Sequence, residues 1–101
     1  MTLTACPPKA SFEITQSSAG VVFAVVPSND AACPQYLNVQ DISGPTVWRI
    51  RSETACSRRF VYGVTPAGFH AEVGLAKLLT GHRYEVTTAA TGVRSGSFTA
   101  E

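Results

Sequence analysis

Apolar residues recur at every second position in short runs along this chain, and each run is cut off by glycine, proline, serine or asparagine. From Ala10 to Gln16, Phe12 and Ile14 alternate with Glu13 and Thr15, the period-two pattern of a strand with one buried face. Gly20 opens Val21–Val26, a run too apolar on both faces for a solvent-facing edge strand. Pro27-Ser28-Asn29-Asp30 closes it. Gln35–Ile42 and Thr46–Ser52 read as the arms of a hairpin turning through Ser43-Gly44-Pro45. Further strands are predicted over Phe60–Val64, Phe69–Leu75, Arg83–Ala90 and Val93–Thr99. Pro66-Ala67-Gly68 turns between the first two, and Thr91-Gly92, a two-residue hairpin signal, separates the last two. Ala71–Leu79 is the one stretch able to form helix, and Gly74 in its middle limits it to a turn or two. Short strands at this spacing predict an all-β fold, an antiparallel two-sheet sandwich of about seven to eight strands.

Composition narrows the choice. The 101 residues suffice for one core, so residues 10–101 read as a single sandwich domain and residues 1–9 as a tether. With 45% hydrophobic and 15% charged residues, the chain buries enough apolar surface to offset its ordering entropy, which excludes disorder. Eight Lys+Arg against seven Asp+Glu exclude a broad basic patch, so no nucleic-acid partner is expected. No apolar run is long enough to cross a bilayer as a helix.

Three cysteines suggest a pair and a singleton. Folding the predicted hairpin about Gly44 brings position 33 opposite roughly position 55, so Cys33 and Cys56 fall at its open end, within reach of a disulfide. Such a bridge implies an oxidising compartment; two buried thiols in a reducing one are the alternative. Cys6 ends Leu3-Thr4-Ala5-Cys6, ahead of Pro7-Pro8. These four residues resemble the lipobox of bacterial lipoproteins. The resemblance implies lipidation at Cys6 and a membrane contact made only through that anchor. Pro7 stands where an aspartate would retain such a protein at the inner membrane, so the outer membrane is implied, facing the periplasm or cell surface. A free cysteine is the plainer alternative.

A second resemblance is local. Leu78-Leu79-Thr80-Gly81-His82-Arg83-Tyr84 is similar to the E–F corner of fibronectin type III domains, with Thr80 in place of the usual proline. The likeness implies a fibronectin III- or immunoglobulin-like sandwich in which Tyr84 turns its ring into the core and bonds the turn backbone through its hydroxyl. Trp48 shares a strand face with Thr46 and Ile50, which makes it a core residue, while Arg49 and Arg51 point outward.

Little catalytic chemistry is visible. His70 and His82 stand twelve positions apart and no cysteines are closely spaced, so neither a metal site nor a cofactor is expected. No nucleophile motif accompanies them, and a non-enzymatic protein follows. Arginine is the skewed count, six against two lysines. Arg49 and Arg51 on one strand face, with Arg58 and Arg59 after Cys56, are the candidate binding residues, because guanidinium groups suit planar contacts with carboxylates; a solvated outer face is the plainer reading. The expected function is a binding or scaffold module of a cell-envelope lipoprotein with a protein partner. A small envelope inhibitor of a lysozyme or protease is the alternative.

Overall fold

The computed structural model describes residues 11–18, 20–26, 33–89 and 93–101. Cys6 with the rest of the 1–9 tether, the turn at 27–30 and the Thr91-Gly92 turn lie outside the described residues. Eight strands form two antiparallel sheets: β1 (Ser11–Ser17), β2 (Gly20–Val26), β3 (Tyr36–Asp41), β4 (Thr46–Arg51), β5 (Arg59–Val61), β6 (His70–Val73), β7 (Arg83–Ala89) and β8 (Val93–Thr99). One sheet runs β1-β2-β5 and the other β6-β4-β3-β7-β8. The fold is thus an all-β sandwich. β2 is the central strand of its sheet, in keeping with its two apolar faces.

The two inner faces meet over Phe23, Leu37, Val39, Trp48, Ile50, Phe60, Tyr84, Val86 and Phe98, all buried. Aromatic rings supply much of the contact. Phe23 and Tyr84 flank Phe98 at centroid distances of 5.8 and 5.5 Å; Tyr62 meets Trp48 edge-on at 5.2 Å. Such pairs add directional attraction to their burial. On the β1–β8 side the inter-sheet seam is closed by Gln16, whose Nε2 donates to the Thr99 carbonyl (2.8 Å) while its Oε1 accepts from the Glu101 N–H (3.1 Å).

Register decides which side chains reach the core. In the β3–β4 hairpin Leu37 faces Ile50 and Val39 faces Trp48, but Gln40 faces Thr46, so Val47 is an extra residue on β4. The bulge lets neighbours Val47 and Trp48 both enter the core. Two strands are markedly shorter than expected, β5 and β6. β5 stops at Val61, because the Val64 N–H turns back to the Val61 carbonyl (2.9 Å) with Gly63 at φ 89°, the turn geometry that requires glycine. β6 covers only His70–Val73, and no helix forms from Ala71 to Leu79: the chain leaves β6 at Gly74 and crosses one end of the sandwich without helix or strand.

The disulfide joins Cys33 to Cys56, 23 positions apart in sequence with Cα atoms 5.3 Å apart. It sits at the open end of the hairpin, where the Ser52 N–H donates to the Gln35 carbonyl and the Ser57 N–H to the Pro34 carbonyl, both at 2.9 Å.

Candidate functional site

The outward face of β6-β4-β3 brings Arg49, Arg51 and Tyr36 together. Cross-strand pairing places Tyr36 opposite Arg51 and Asn38 opposite Arg49, and residues directly opposite share a face. Arg49 Nε donates to Asn38 Oδ1 at 3.0 Å. Arg51 Nε lies 3.1 Å from Glu72 Oε2, and its guanidinium sits 4.9 Å above the Tyr36 ring. Each guanidinium therefore makes a contact through Nε to a neighbouring strand, and each also carries terminal N–H groups able to donate. An exposed ion pair contributes only about 0–1 kcal/mol to stability and an exposed cation–π contact about 0.5–1 kcal/mol. What these contacts mainly do is hold two long side chains in fixed positions.

Arg58 and Arg59 are not part of this surface. Arg59 belongs to β5 in the other sheet, paired with Ala24, and the Arg58 carbonyl accepts from the Val25 N–H (2.8 Å). The four arginines divide two and two because the chain changes sheets after Cys56. Trp48 is 2% exposed and Tyr84 1%. Around Tyr84, the Leu79 N–H donates to Tyr84 Oη at 2.8 Å. The turn itself closes through His82 N–H to the Leu79 carbonyl (3.0 Å), with Gly81 at φ 86° in the position where this turn type favours glycine.

A histidine and an acid do meet, at the end of the sandwich away from the disulfide. His82 Nδ1 donates to Asp41 Oδ2 at 2.8 Å. The other carboxylate oxygen accepts from the Ser43 N–H (2.9 Å) and Ser43 Oγ (2.8 Å). The His82 hydrogen bond, and then the two from Ser43, hold the Asp41 carboxyl below the usual carboxylate range. The serine bonds the acid rather than the imidazole, so the contact between nucleophile and base that acyl transfer needs is missing. The cluster ties the β3–β4 turn to the turn before β7. Its signal in the sequence was the Asp-x-Ser of a side-chain-capped turn; His82 comes from 41 positions away and had none.

A groove of about 480 Å³ runs beside the crossing segment, lined by Gln16, Val21, Tyr62, Leu75, Leu78 and Ala100 among others. The hydroxyl of half-buried Tyr62 donates to the Ala76 carbonyl, and partial burial pushes its pKa up to about 12. Lys77 and Glu101 stand among the groove's lining with Gln16, so it combines an apolar floor with charged groups of both signs. Among the described residues no three His, Cys, Asp or Glu side chains gather as metal ligands would. No protein-family model, curated protein or solved structure matches this chain.

Proposed function

We propose that this chain is a non-enzymatic binding or scaffold module of a bacterial cell-envelope lipoprotein, docking a protein partner on the outward face of its five-stranded sheet. The observation that carries the reading is the fixed pair Arg49 and Arg51, about 7 Å apart along β4. Ordering long side chains at an interface costs roughly 0.5–1.5 kcal/mol each; here Asn38, Glu72 and Tyr36 have already ordered them. Two pre-set guanidinium forks on an open sheet face suit carboxylates spaced along an extended or sheet-like partner. Export is supported by the Cys33–Cys56 disulfide, and lipidation at Cys6 by the lipobox resemblance of Leu3-Thr4-Ala5-Cys6.

The strand arrangement supports a fibronectin III- or immunoglobulin-like assignment. β1-β2-β5 facing β4-β3-β7-β8 matches A-B-E against C′-C-F-G, without the D strand of the immunoglobulin A-B-E-D sheet, and the Tyr84 hydroxyl bonds the turn before strand F. A second departure is β6, which is inserted between E and F and adds an outer strand beside β4. That extra strand supplies Glu72, the acid that positions Arg51.

The test is affinity measured on a reconstituted pair. The immobilised domain retains a partner from envelope extract, the partner is purified, and its affinity is measured by calorimetry. Arg49→Glu/Arg51→Glu is expected to weaken binding at least about tenfold, a loss of about 1.4 kcal/mol, in a domain whose melt, though lowered by the lost Asn38, Glu72 and Tyr36 contacts, stays cooperative and well above the assay temperature. Arg58→Glu/Arg59→Glu leaves that affinity within about twofold. Undiminished affinity in the first variant refutes the docking face.

A further inference from the structure

The outer face of the three-stranded sheet has a different character. Ile14, Phe23 and Phe60 share one cross-strand row and point into the core, so the rows on either side of it face outward. One of these is Glu13–Ala24–Arg59 and the other Thr15–Val22–Val61, which the bridge from Val61 extends to Val64. Val22, Ala24 and Val61 are partly exposed and Val64 is 58% exposed. The face is thus an apolar row beside a row with an acid at one edge, a small residue at its centre and a base at the other edge.

Within one chain Glu13 and Arg59 flank Ala24 two strand spacings apart, about 10 Å, and the ion pairs among the described residues do not join them. We infer that this face associates with a second copy of itself, Glu13 of each chain meeting Arg59 of the other across a twofold axis that runs along β2. The symmetry selects the arrangement. Rotation by 180° about an axis parallel to β2 exchanges the two edges of the sheet and keeps position along the strand, so β1 of one copy lies over β5 of the other. Glu13 then faces Arg59 twice, Val22 faces Val22, and Ala24 at the centre gives the two sheets room to approach. An axis across the strands would set edge over like edge and form no such pairs. The self-complementary solution is the one a twofold interface requires, because each contact must occur twice.

Size sets the strength. Three strands about 4.8 Å apart, with a rise of about 3.4 Å per residue, present roughly 300 Å² per copy. Roughly 600 Å² in total is below the 1,200–2,000 Å² or so of stable interfaces, so the dimer is weak and dynamic. With charges supplying the orientation, its formation is sensitive to salt.

Sedimentation equilibrium tests this, with Cys6→Ser in every variant so that a bridge through that thiol is not counted. At about 1 mM protein and low salt the wild-type face is expected to give a mass above the monomer, and raising salt to about 0.5 M weakens association severalfold. Glu13→Arg and Arg59→Glu each weaken it at least about tenfold, because like charges then face each other, and the double swap returns to within about threefold of the unswapped protein. These positions are exposed, and circular dichroism melts establish that every variant is folded. A monomer at low salt, a dimer indifferent to either reversal, or a double swap that fails to recover would each overturn the inference. Recovery in the double swap is the decisive arm, since contact through another surface does not produce it.

Discussion

Tyr84→Phe deletes one oxygen atom and leaves the ring. That oxygen accepts the Leu79 N–H at 2.8 Å, from a side chain 1% exposed, while the ring stacks on Phe98 at 5.5 Å. A typical intramolecular hydrogen bond contributes about 0.5–1.5 kcal/mol, and a stranded, fully buried donor costs about 1–3 kcal/mol. The bond here is only part-buried, so the penalty falls toward the lower end. The expected loss is about 1–1.5 kcal/mol. With a urea m-value of about 1 kcal/mol/M for a small domain, the midpoint falls by about 1 M; thermally the loss is about 4–10 °C. Tyr84→Ala sets the scale for losing the ring as well, about 3–5 kcal/mol. Equilibrium urea unfolding followed by tryptophan fluorescence measures all three proteins, with Trp48 as the single reporter. If Tyr84→Phe moves the midpoint by less than about 0.3 M at unchanged m, the hydroxyl does not hold the turn, and the corner argument fails with it.

Two further outcomes follow from the same structure. Replacing Cys33 and Cys56 together with serine is expected to lower stability by about 3 kcal/mol on the chain-entropy estimate for a loop of this size, and non-reducing peptide mapping of the unsubstituted chain should return Cys33–Cys56 with Cys6 outside the bridge; a map joining Cys6 to either partner contradicts the structure. For Asp41, whose folded carboxyl titrates below its ordinary value of 3.8, the unfolded chain binds the proton more readily around and below that pH. The stabilising contribution is therefore present above about pH 4 and lost as pH falls through the folded value, so the melting-temperature gap between the wild-type chain and Asp41→Asn should close on acidification, and a gap that stays constant down to about pH 2.5 refutes the assignment.

Local signals made much of this fold readable. β2 announced itself as central through Val21–Val26, and the hairpin through Gly44 and the alternation on either side. Folding that hairpin by counting placed position 33 opposite 55; the observed pairing of Tyr36 with Arg51 differs by one residue. The turn centres one residue before Gly44, since Gln40 faces Thr46, and the bulge at Val47 recovers half of that offset; it leaves no mark in alternation, because Val47 and Trp48 read equally well as a continuing buried strand. The end of β5 was misplaced for a related reason: Val61, Tyr62 and Val64 all have strand propensity, and the turn at Gly63 overrides it. Which sheet β6 joins had no local signal, because that choice depends on which edge has room. The arginine face was half visible. Its strand and direction follow from the alternation around Trp48, whereas the contacts that order it join Arg51 to Glu72 through a strand pairing that no count along the chain reveals.

The position of the disulfide bears on both outer faces together. Cys33 lies three residues before Tyr36, where β3 begins, and Cys56 three residues before Arg59, where β5 begins. One covalent link therefore fixes the starts of two strands in different sheets, one carrying the ring beneath Arg51 and the other carrying Arg59. β5 needs that support most: with three residues it has few ladder bonds, and it buries one large side chain, Phe60, against Phe69 at 5.8 Å. β3 is paired on both sides, with β4 and with β7, and holds its place without help. Loss of the bridge should therefore loosen β5 first, and with it the Glu13–Ala24–Arg59 row, while the Arg49–Arg51 face persists. In hydrogen exchange of Cys33→Ser/Cys56→Ser, residues 58–62 losing more protection than the drop of about 3 kcal/mol common to β3 and β4 is the pattern this asymmetry requires. Uniform loss across both sheets would mean that the bridge stabilises the sandwich as a whole and has no particular claim on its shortest strand.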